Sequence, residues 1–381
     1  MNSESPGWIF TAQEYQLTIR WDDGVVGQYK AVWLRDNCPE DRSTESGERT
    51  IDIADTPETP RIGETFRIGD AEIAIIWGDE DKTSVFDVSW LRAYCGPDPY
   101  PLSPRLRPTM WTAERAADLI RMEYADIVAS EAALARWLRA IAEYGIALLR
   151  GVPCRPGEIL RVARRIGPVP ELHNYGLSDS STVTWPHEHS NASPGRALHT
   201  DHPYHDPVPG VHLLHCVQTG AQGGESLFLD GYAVASYMRD QFPESFQVLA
   251  WTPVRFTSRT AESEFATDRP LIQLDALGNV EAIHYDTRFI APLRLPQDAV
   301  ASFYAAYRIF ALLLRDPNFI VKLHLADGDM VALDTRRTLH GREASSPEED
   351  AYRVQRCWIY MDVLLSRLAV IERRYGNGAE T

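Results

Sequence analysis

His199-Thr200-Asp201 and the distant His340 are the residues whose types and spacing most directly suggest chemistry. A His-x-Asp pair plus a remote histidine can supply two imidazoles and one carboxylate to one face of a metal. The opposite positions stay open, an arrangement that suits non-haem Fe(II) activating O2. On a strand, residues i and i+2 point to the same face, so both side chains of the pair can reach one ion. The third ligand must then come from another strand that the fold brings close. The chain has 11 histidines, so an incidental His-x-Asp is the bland alternative, and His187 and His189 in Trp185-Pro186-His187-Glu188-His189 form a competing cluster.

Strands must therefore position the site, and the composition allows it. At 381 residues the chain is long for one domain and comfortable for two, with 44% hydrophobic and 24% charged residues. A net charge of −16 argues against a nucleic-acid or anionic-membrane partner, either of which favours a basic surface. No run of about 18 apolar residues suggests a membrane span. The first residues, MNSESPG, lack the basic and apolar regions of a signal peptide. The 5 cysteines, Cys38, Cys95, Cys154, Cys216 and Cys357, are scattered and odd in number. A cytoplasmic protein without a disulfide framework is expected.

Residues 10–92 read as β-rich. Residues 15–21 (YQLTIRW) alternate with period two and run into Asp22-Asp23-Gly24, a hairpin signal, and 71–77 (AEIAIIW) before Gly78-Asp79 repeat the pattern. Residues 31–38 between them complete what looks like a small sheet module spanning 1–95. Residues 96–109 are proline-dense and read as an extended linker. In the second domain, 110–381, Thr112 is a candidate cap for a helix through Ala117, Leu119 and Ile120, and a second helix is expected over 132–144. Residues 145–151, 211–217, 225–230, 329–334 and 353–361 read as strands, and 231–242 and 298–314 as helices.

The residues around the His-x-Asp pair are more specific than the pair. The run from Leu198 to Cys216 (LHTDHPYHDPVPGVHLLHC), with Gly223-Gly224-Glu225-Ser226, Asp230-Gly231, Leu339-His340-Gly341-Arg342 and 362–368 (DVLLSRL), closely resembles the γ-butyrobetaine hydroxylase group of the TauD/TfdA-like Fe(II)/2-oxoglutarate dioxygenases. At the N-terminus, 31–39 (AVWLRDNCP) is similar to the small domain that precedes the catalytic one in that group. The resemblance runs from about residue 10 to about residue 370. It implies a mainly β fold with flanking helices, a double-stranded β-helix (jelly roll) carrying Fe(II) on His199, Asp201 and His340. It implies 2-oxoglutarate and O2 as cosubstrates, with ascorbate as a stimulant, and Arg353 holding the far carboxylate of 2-oxoglutarate. The guanidinium fork suits that task, since it pairs with a carboxylate through two parallel hydrogen bonds. A surface salt-bridge arginine is the alternative for Arg353. The group is often dimeric, and no residue pattern here identifies an interface, so a homodimer is an expectation from resemblance alone.

Departures from the group concern zinc and substrate. The small domain of the animal enzyme holds zinc on three cysteines and a histidine. Here Cys38 is the one cysteine left in that stretch, and 77–81 (WGDED) lacks the histidine, so folding without zinc is expected. In the group an aromatic cage holds a quaternary ammonium head by cation–π attraction. Tyr175 matches one cage position, Trp358 replaces a tyrosine at another, Asn191 stands at a third, and His202 follows the metal aspartate in place of a tyrosine. Core packing is the alternative for Tyr175 and Trp358. The asparagines that bind the substrate carboxylate are absent from 283–288 (IHYDTR). Arg288 and Arg356 could serve an anionic group there, whereas Asp286 would suit a cation.

A small-molecule oxygenase of carnitine biosynthesis, converting γ-butyrobetaine to carnitine, is the leading expectation. The same chemistry on 2-(trimethylammonio)ethylphosphonate or an amino acid derivative is the nearest rival. A non-catalytic binding protein on the same fold is the rival of a different class, against which the complete ligand set argues.

Overall fold

The computed structural model describes residues 7–96, 107–170, 178–179, 196–219, 225–343 and 353–375. The chain divides into two compact units, Met1–Pro104 and Arg105–Thr381. In the first, β1 (Trp8–Gln13), β2 (Gln16–Trp21) and β3 (Val26–Lys30) form one antiparallel sheet, followed by helix α1 (Ala31–Asp36). Strands β4 (Ile62–Ile68), β5 (Glu72–Trp77) and β6 (Thr83–Asp87) form a second, closed by α2 (Val88–Ala93). The period-two reading of 15–21 holds: Leu17, Ile19 and Trp21 enter the core, and Gly24 takes the left-handed φ of 86° that the turn to β3 needs. Residues 31–36, expected within the sheet module, are helical instead. Ala31 and Leu34, one helical turn apart, bury together.

Beside Cys38, an ion-pair network joins the loops that carry Asp41 and Glu80. Arg35 is 2% exposed and donates from Nη1 to Asp41 (2.7 Å) and from Nε and Nη2 to Glu80 (2.8 Å for Nη2). Lys82 adds a second contact to Asp41 at 2.6 Å. Cys38, also buried, lies 2.8 Å from the Ser84 hydroxyl, to which the Trp77 indole donates. A buried guanidinium is tolerable when its donors meet charged acceptors, as they do here.

The second unit begins with a 3-10 turn over 113–118, then β7 (Arg121–Glu123), α3 (Tyr124–Ala129), α4 (Glu131–Tyr144), β8 (Ile146–Arg150), α5 (Glu158–Ile166) and the short β9 (Ser178–Asp179). Next come β10 (Arg196–His199), β11 (Val211–Gln218), β12 (Ser226–Asp230), α6 (Gly231–Gln241) and α7 (Pro243–Trp251). Two hairpins follow, β13 (Val254–Arg259) with β14 (Glu264–Arg269) and β15 (Ile272–Leu274) with β16 (Val280–Ile283), then α8 (Gln297–Leu313). The last elements are β17 (Ile320–Leu323), β18 (Met330–Asp334), β19 (Thr338–Arg342), β20 (Arg353–Ile359) and α9 (Met361–Tyr375). Among the described residues no helix is long and apolar enough to cross a membrane.

The helix expected after Thr112 is therefore a correction. Thr112 makes no capping bond, and the chain after Leu119 pairs in parallel with β8 instead, Leu148 N–H bonding to Ile120 C=O at 2.9 Å. The helix expected over 132–144 is α4. Ser130 caps it by accepting from the Ala133 amide, and Gly145 at φ 73° ends it.

Two sheets organise this unit, one ordered β7-β8-β18-β11-β20-β9 and one β10-β19-β12-β17. One face of the larger sheet, with Leu213, Ala332 and Cys357, packs under α4, α5 and α9. Its other face meets the smaller sheet: Leu148, Leu214, Val331 and Val354 pack with Phe228 and Val321. Strands buried on both faces explain why 211–217 and 330–334 read as continuous apolar runs.

The Arg35 network makes a testable prediction. Arg35→Met leaves Asp41 and Glu80 without their main cation, a loss of roughly 3 kcal/mol, the low end for a broken buried pair; urea unfolding of the full chain followed by tryptophan fluorescence reads it, and an unchanged midpoint refutes it. Burial pushes the Asp41 carboxyl up, but Lys82 and Arg35 outweigh this and hold it below its ordinary value. Its contribution is complete above the unfolded value of about 3.9 and is lost as the pH falls through the folded value. The gap between wild type and variant should therefore close in acid.

Candidate metal centre

Strands β10 and β19 are antiparallel partners, and their register sets His199 directly opposite His340. The two imidazole centroids are 4.4 Å apart. Phe228 of β12 lies opposite His340 on the other side and forms an apolar floor.

Asp201 lies beyond the end of β10, and a local device turns it back. The Thr200 amide donates to Tyr285 C=O at 2.8 Å, and the Tyr285 amide donates to the Thr200 hydroxyl at 2.9 Å. With Thr200 stitched to 285, and His202 in the left-handed region at φ 47°, Asp201 Oδ1 comes 3.7 Å from Nε2 of both His199 and His340. Among the described residues these three form the one group of three or more histidine, cysteine or acidic side chains whose ligand atoms converge, all within 4.8 Å. All three are buried.

The donors are prepared for a cation. His199 Nδ1 lies 2.9 Å from Ala197 C=O, which fixes the proton there and leaves Nε2 as a bare lone pair. His199 Nε2 is buried with no hydrogen-bond partner of its own. Burial drives His199 well below the ordinary imidazole range, helped by the Arg196 charge, and pushes His340 down to about 3. Burial also raises the Asp201 carboxyl, but His340 and His212 beside it outweigh this and hold it well below the carboxylate range. Neutral imidazoles and an ionised carboxylate are the protonation states that metal ligation requires.

The outer oxygen of Asp201 is also engaged. Trp358 Nε1 donates to Oδ2 at 3.1 Å, and His212 Nδ1 lies 2.8 Å from the same atom. His212 was not singled out in the sequence. The available signal was an ionisable residue alternating with the apolar Leu214 and Cys216 on one face of the strand.

The remaining expected site residues fall into three groups. His202 and Trp358 are buried and meet edge to face, centroids 5.1 Å apart, with His202 Nδ1 3.1 Å from the Tyr204 hydroxyl. Burial pushes His202 down to about 3, so its ring is neutral. Arg288 forks onto buried Asp286 at 3.0 and 2.7 Å, so the two charges that pointed to opposite ligands compensate each other. On β20, Arg356 is half-buried opposite Leu214 and shares the inward face with Trp358 and Val354. Arg353 is exposed at the start of β20 opposite Gln218, in the opposite alternation. Tyr175, Asn191 and the His187/His189 cluster lie outside the described residues.

Comparison with known proteins gives this geometry a class. The taurine catabolism dioxygenase TauD, TfdA family matches residues 100–358, and the γ-butyrobetaine hydroxylase-like N-terminal family matches residues 9–92. The γ-butyrobetaine dioxygenase of Pseudomonas sp. (strain AK-1) is 32% identical over 361 residues, covering 94% of each chain. The mitochondrial trimethyllysine dioxygenase of Rattus norvegicus is 26% identical over 381 residues, covering 94% of this chain and 86% of the relative. Among solved structures, asparagine oxygenase with Fe(II), 3-hydroxyasparagine and succinate superimposes with a TM-score of 0.46 at 16% identity, covering 61% of this chain and 81% of that one. The class is that of the Fe(II)/2-oxoglutarate-dependent dioxygenases. Within it, the chain belongs to the TauD/TfdA family.

One Fe(II) should bind per chain, and either His340→Ala or Asp201→Ala should abolish stoichiometric uptake and Fe(II)-dependent succinate formation together. Equilibrium dialysis followed by iron analysis checks the first and succinate assay the second; turnover retained in either variant would contradict the assignment of these ligands.

Proposed function

We propose that the protein hydroxylates a small quaternary-ammonium zwitterion, with γ-butyrobetaine to carnitine as the reference reaction, inside a double-stranded β-helix formed by the two sheets of the second unit. The observation that carries this reading is the end-to-end similarity to a γ-butyrobetaine dioxygenase, 94% of both chains, together with the complete His199, Asp201 and His340 set. The shared core of the two sheets supports the β-helix. A cytoplasmic setting goes with the same reading.

The residues present fit the metal. His199 and His340 offer neutral nitrogens and Asp201 a charged oxygen, converging in a buried space whose free lone pair at His199 Nε2 is otherwise unexplained. When bound there, Fe(II) with 2-oxoglutarate supplies O2 activation coupled to decarboxylation, giving succinate and CO2 as one oxygen atom enters a substrate C–H bond. The chain's own residues bind, aim and shield. The Ala197 carbonyl holds the His199 ring in one orientation, and Thr200 anchored to 285 fixes the path of Asp201. Burial keeps bulk water from the reacting groups.

Arg356 rather than Arg353 suits the far carboxylate of 2-oxoglutarate. Its inward alternation and its repulsion of charge on His340 are consistent with a guanidinium within the cavity. His202 and Trp358 stand beside Asp201, where substrate must approach. A histidine among Tyr204, Phe289 and Trp358 departs from a cage of tyrosines and tryptophans, and this favours a second reading: the same reaction on trimethyllysine, an amino acid derivative or 2-(trimethylammonio)ethylphosphonate.

Succinate release measured across γ-butyrobetaine, trimethyllysine, the trimethylammonio phosphonate, choline and free amino acids tests the substrate; stimulation by γ-butyrobetaine alone is expected, and no response to any quaternary ammonium compound would end this reading. Arg356→Met should raise the KM for 2-oxoglutarate by about 10- to 100-fold, the value of a charge-assisted pair at roughly 1.5–3 kcal/mol. Arg353→Met should leave that KM near wild type, and the reverse ranking would return the role to Arg353.

A further inference from the structure

We propose that Asp286 and Arg288 are positioning residues for the charged metal ligand, acting through the backbone of Tyr285 and the side chain of Thr200; this rests on the iron reading above. Asp201 has no strand of its own, because β10 ends at His199. The two bonds that hold it are made by its predecessor. The Thr200 amide donates to Tyr285 C=O at 2.8 Å, and the Thr200 hydroxyl accepts from the Tyr285 amide at 2.9 Å. The hydroxyl stands where a strand would offer a backbone carbonyl. Asp201 is therefore only as well fixed as Tyr285, which lies two residues past the end of β16 at Ile283.

Tyr285 is fixed from both sides. Before it, His284 is buried with Nε2 3.0 Å from Gln273 Oε1 on β15. Its own ring packs edge to face on Phe310 of α8, centroids 5.8 Å apart. After it, Asp286 is 2% exposed. Asp286 Oδ1 accepts from the Arg288 amide and Nε at 3.1 and 3.0 Å, and Oδ2 accepts from Nη2 at 2.7 Å. The Phe289 amide donates to Asp286 C=O at 3.2 Å. A carboxylate bonded to the backbone two residues on closes a tight turn, and here the guanidinium fork occupies both of its oxygens as well.

A buried carboxylate is costly without such a set of partners. An apolar side chain at 286 could fill the space without that cost, but it could not close the turn. What the charge provides is a fixed backbone next to 285. The path runs from Arg288 to Asp286, Tyr285, Thr200 and Asp201, and each of its non-covalent links is a hydrogen bond of 3.1 Å or shorter. Loss of the fork should let Tyr285 shift, loosen Thr200 and spread the positions open to Asp201. His199 and His340 are set by strand register and should stay in place.

Calorimetric titration of the full-length protein with Co(II) alone, with the Co(II) ligand-field spectrum, reads the metal without cosubstrate or substrate. Arg288→Met and Thr200→Val should each weaken the Co(II) Kd by about 10-fold, the low end for groups that orient metal ligands, and should change the spectrum in the same way. Thr200→Ser keeps the hydroxyl and should restore both. Because the two residues act on one path, the double variant Arg288→Met with Thr200→Val should bind Co(II) no more weakly than the weaker single variant. Wild-type affinity and spectrum in Arg288→Met overturn the proposal and leave the iron site standing; losses that add in the double variant overturn it too. Should Arg288→Met not fold, Arg288→Lys, which keeps the charge without the fork, decides by the same two readings. A wild-type protein that takes up no Co(II) overturns the iron reading and this proposal with it. Metal uptake without 2-oxoglutarate turnover would sink the proposed activity alone.

Discussion

The buried pair of Arg337 and Asp230 is the constraint on which the catalytic unit's geometry depends. Arg337 is 1% exposed and Asp230 fully buried. The guanidinium donates from Nε and Nη2 to the two Asp230 oxygens at 3.0 and 2.8 Å, and to the carbonyls of Glu143 and Thr109 at 2.7 and 2.6 Å. Asp230 also accepts from the Trp111 amide and caps α6 through the Tyr232 amide. Burial works against the charge on Arg337, yet Asp230 outweighs it and keeps the guanidinium above its usual range. A buried charge removed from such a network leaves its partner stranded, a cost far above that of an exposed pair. The network joins the end of β12, the end of α4 and the turn between β18 and β19. Gly145 is required where they meet. Its φ is 73°, and an added Cβ would lie 2.8 Å from Arg337 Cδ.

That turn delivers His340. Thr335 bonds to Gly210 and Pro209 beside β11, the Gly231 amide bonds to Arg337 C=O, and the Thr338 hydroxyl bonds to Gly145 C=O, so β19 leaves the turn in one register. The register with β10 then sets the two imidazoles opposite each other, tilted by 42°. The third ligand depends on a different device, the paired bonds between Thr200 and Tyr285. The site thus draws on rigid strand pairing for the neutral ligands and on a local stitch for the charged one. Because all three are buried, the same packing that places them also sets their protonation.

Much of this was legible from residues. Leu17, Ile19 and Trp21 announced a strand by alternation, and the helix expected over 132–144 is α4, since these signals are local. His199, Asp201 and His340 were legible as a set, but the reason given was incomplete. Same-face spacing on a strand does not apply to Asp201, because β10 ends at His199. Thr112 failed as a helix cap because strand pairing with β8 took up the following residues, a tertiary preference that local propensity does not carry. Which way Arg353 and Arg356 point is set by alternation along β20 and so by where that strand pairs with β11, which spacing from His340 does not carry. Asp286 and Arg288 looked contradictory while each was matched to a ligand. As a pair two residues apart they answer each other.

Under the proposed function, Trp358 would tie substrate choice to metal geometry. Sequence comparison made it a wall for a cationic head, where an indole offers the strongest attraction among aromatic rings. In the structure its N–H is committed to Asp201, one face is covered by His212, and His202 meets it edge to face. A side chain held at three points has little freedom to follow a substrate. Under the proposed function, a cationic group would have to fit the ring where Asp201 has placed it, and the ionised carboxylate close by would add a favourable field for positive charge. A replacement at 358 that reshaped the wall would also release the outer oxygen of a metal ligand. Residues such as His202, which touch the wall without touching the ligand's outer oxygen, leave more room for variation in substrate while the metal set stays intact.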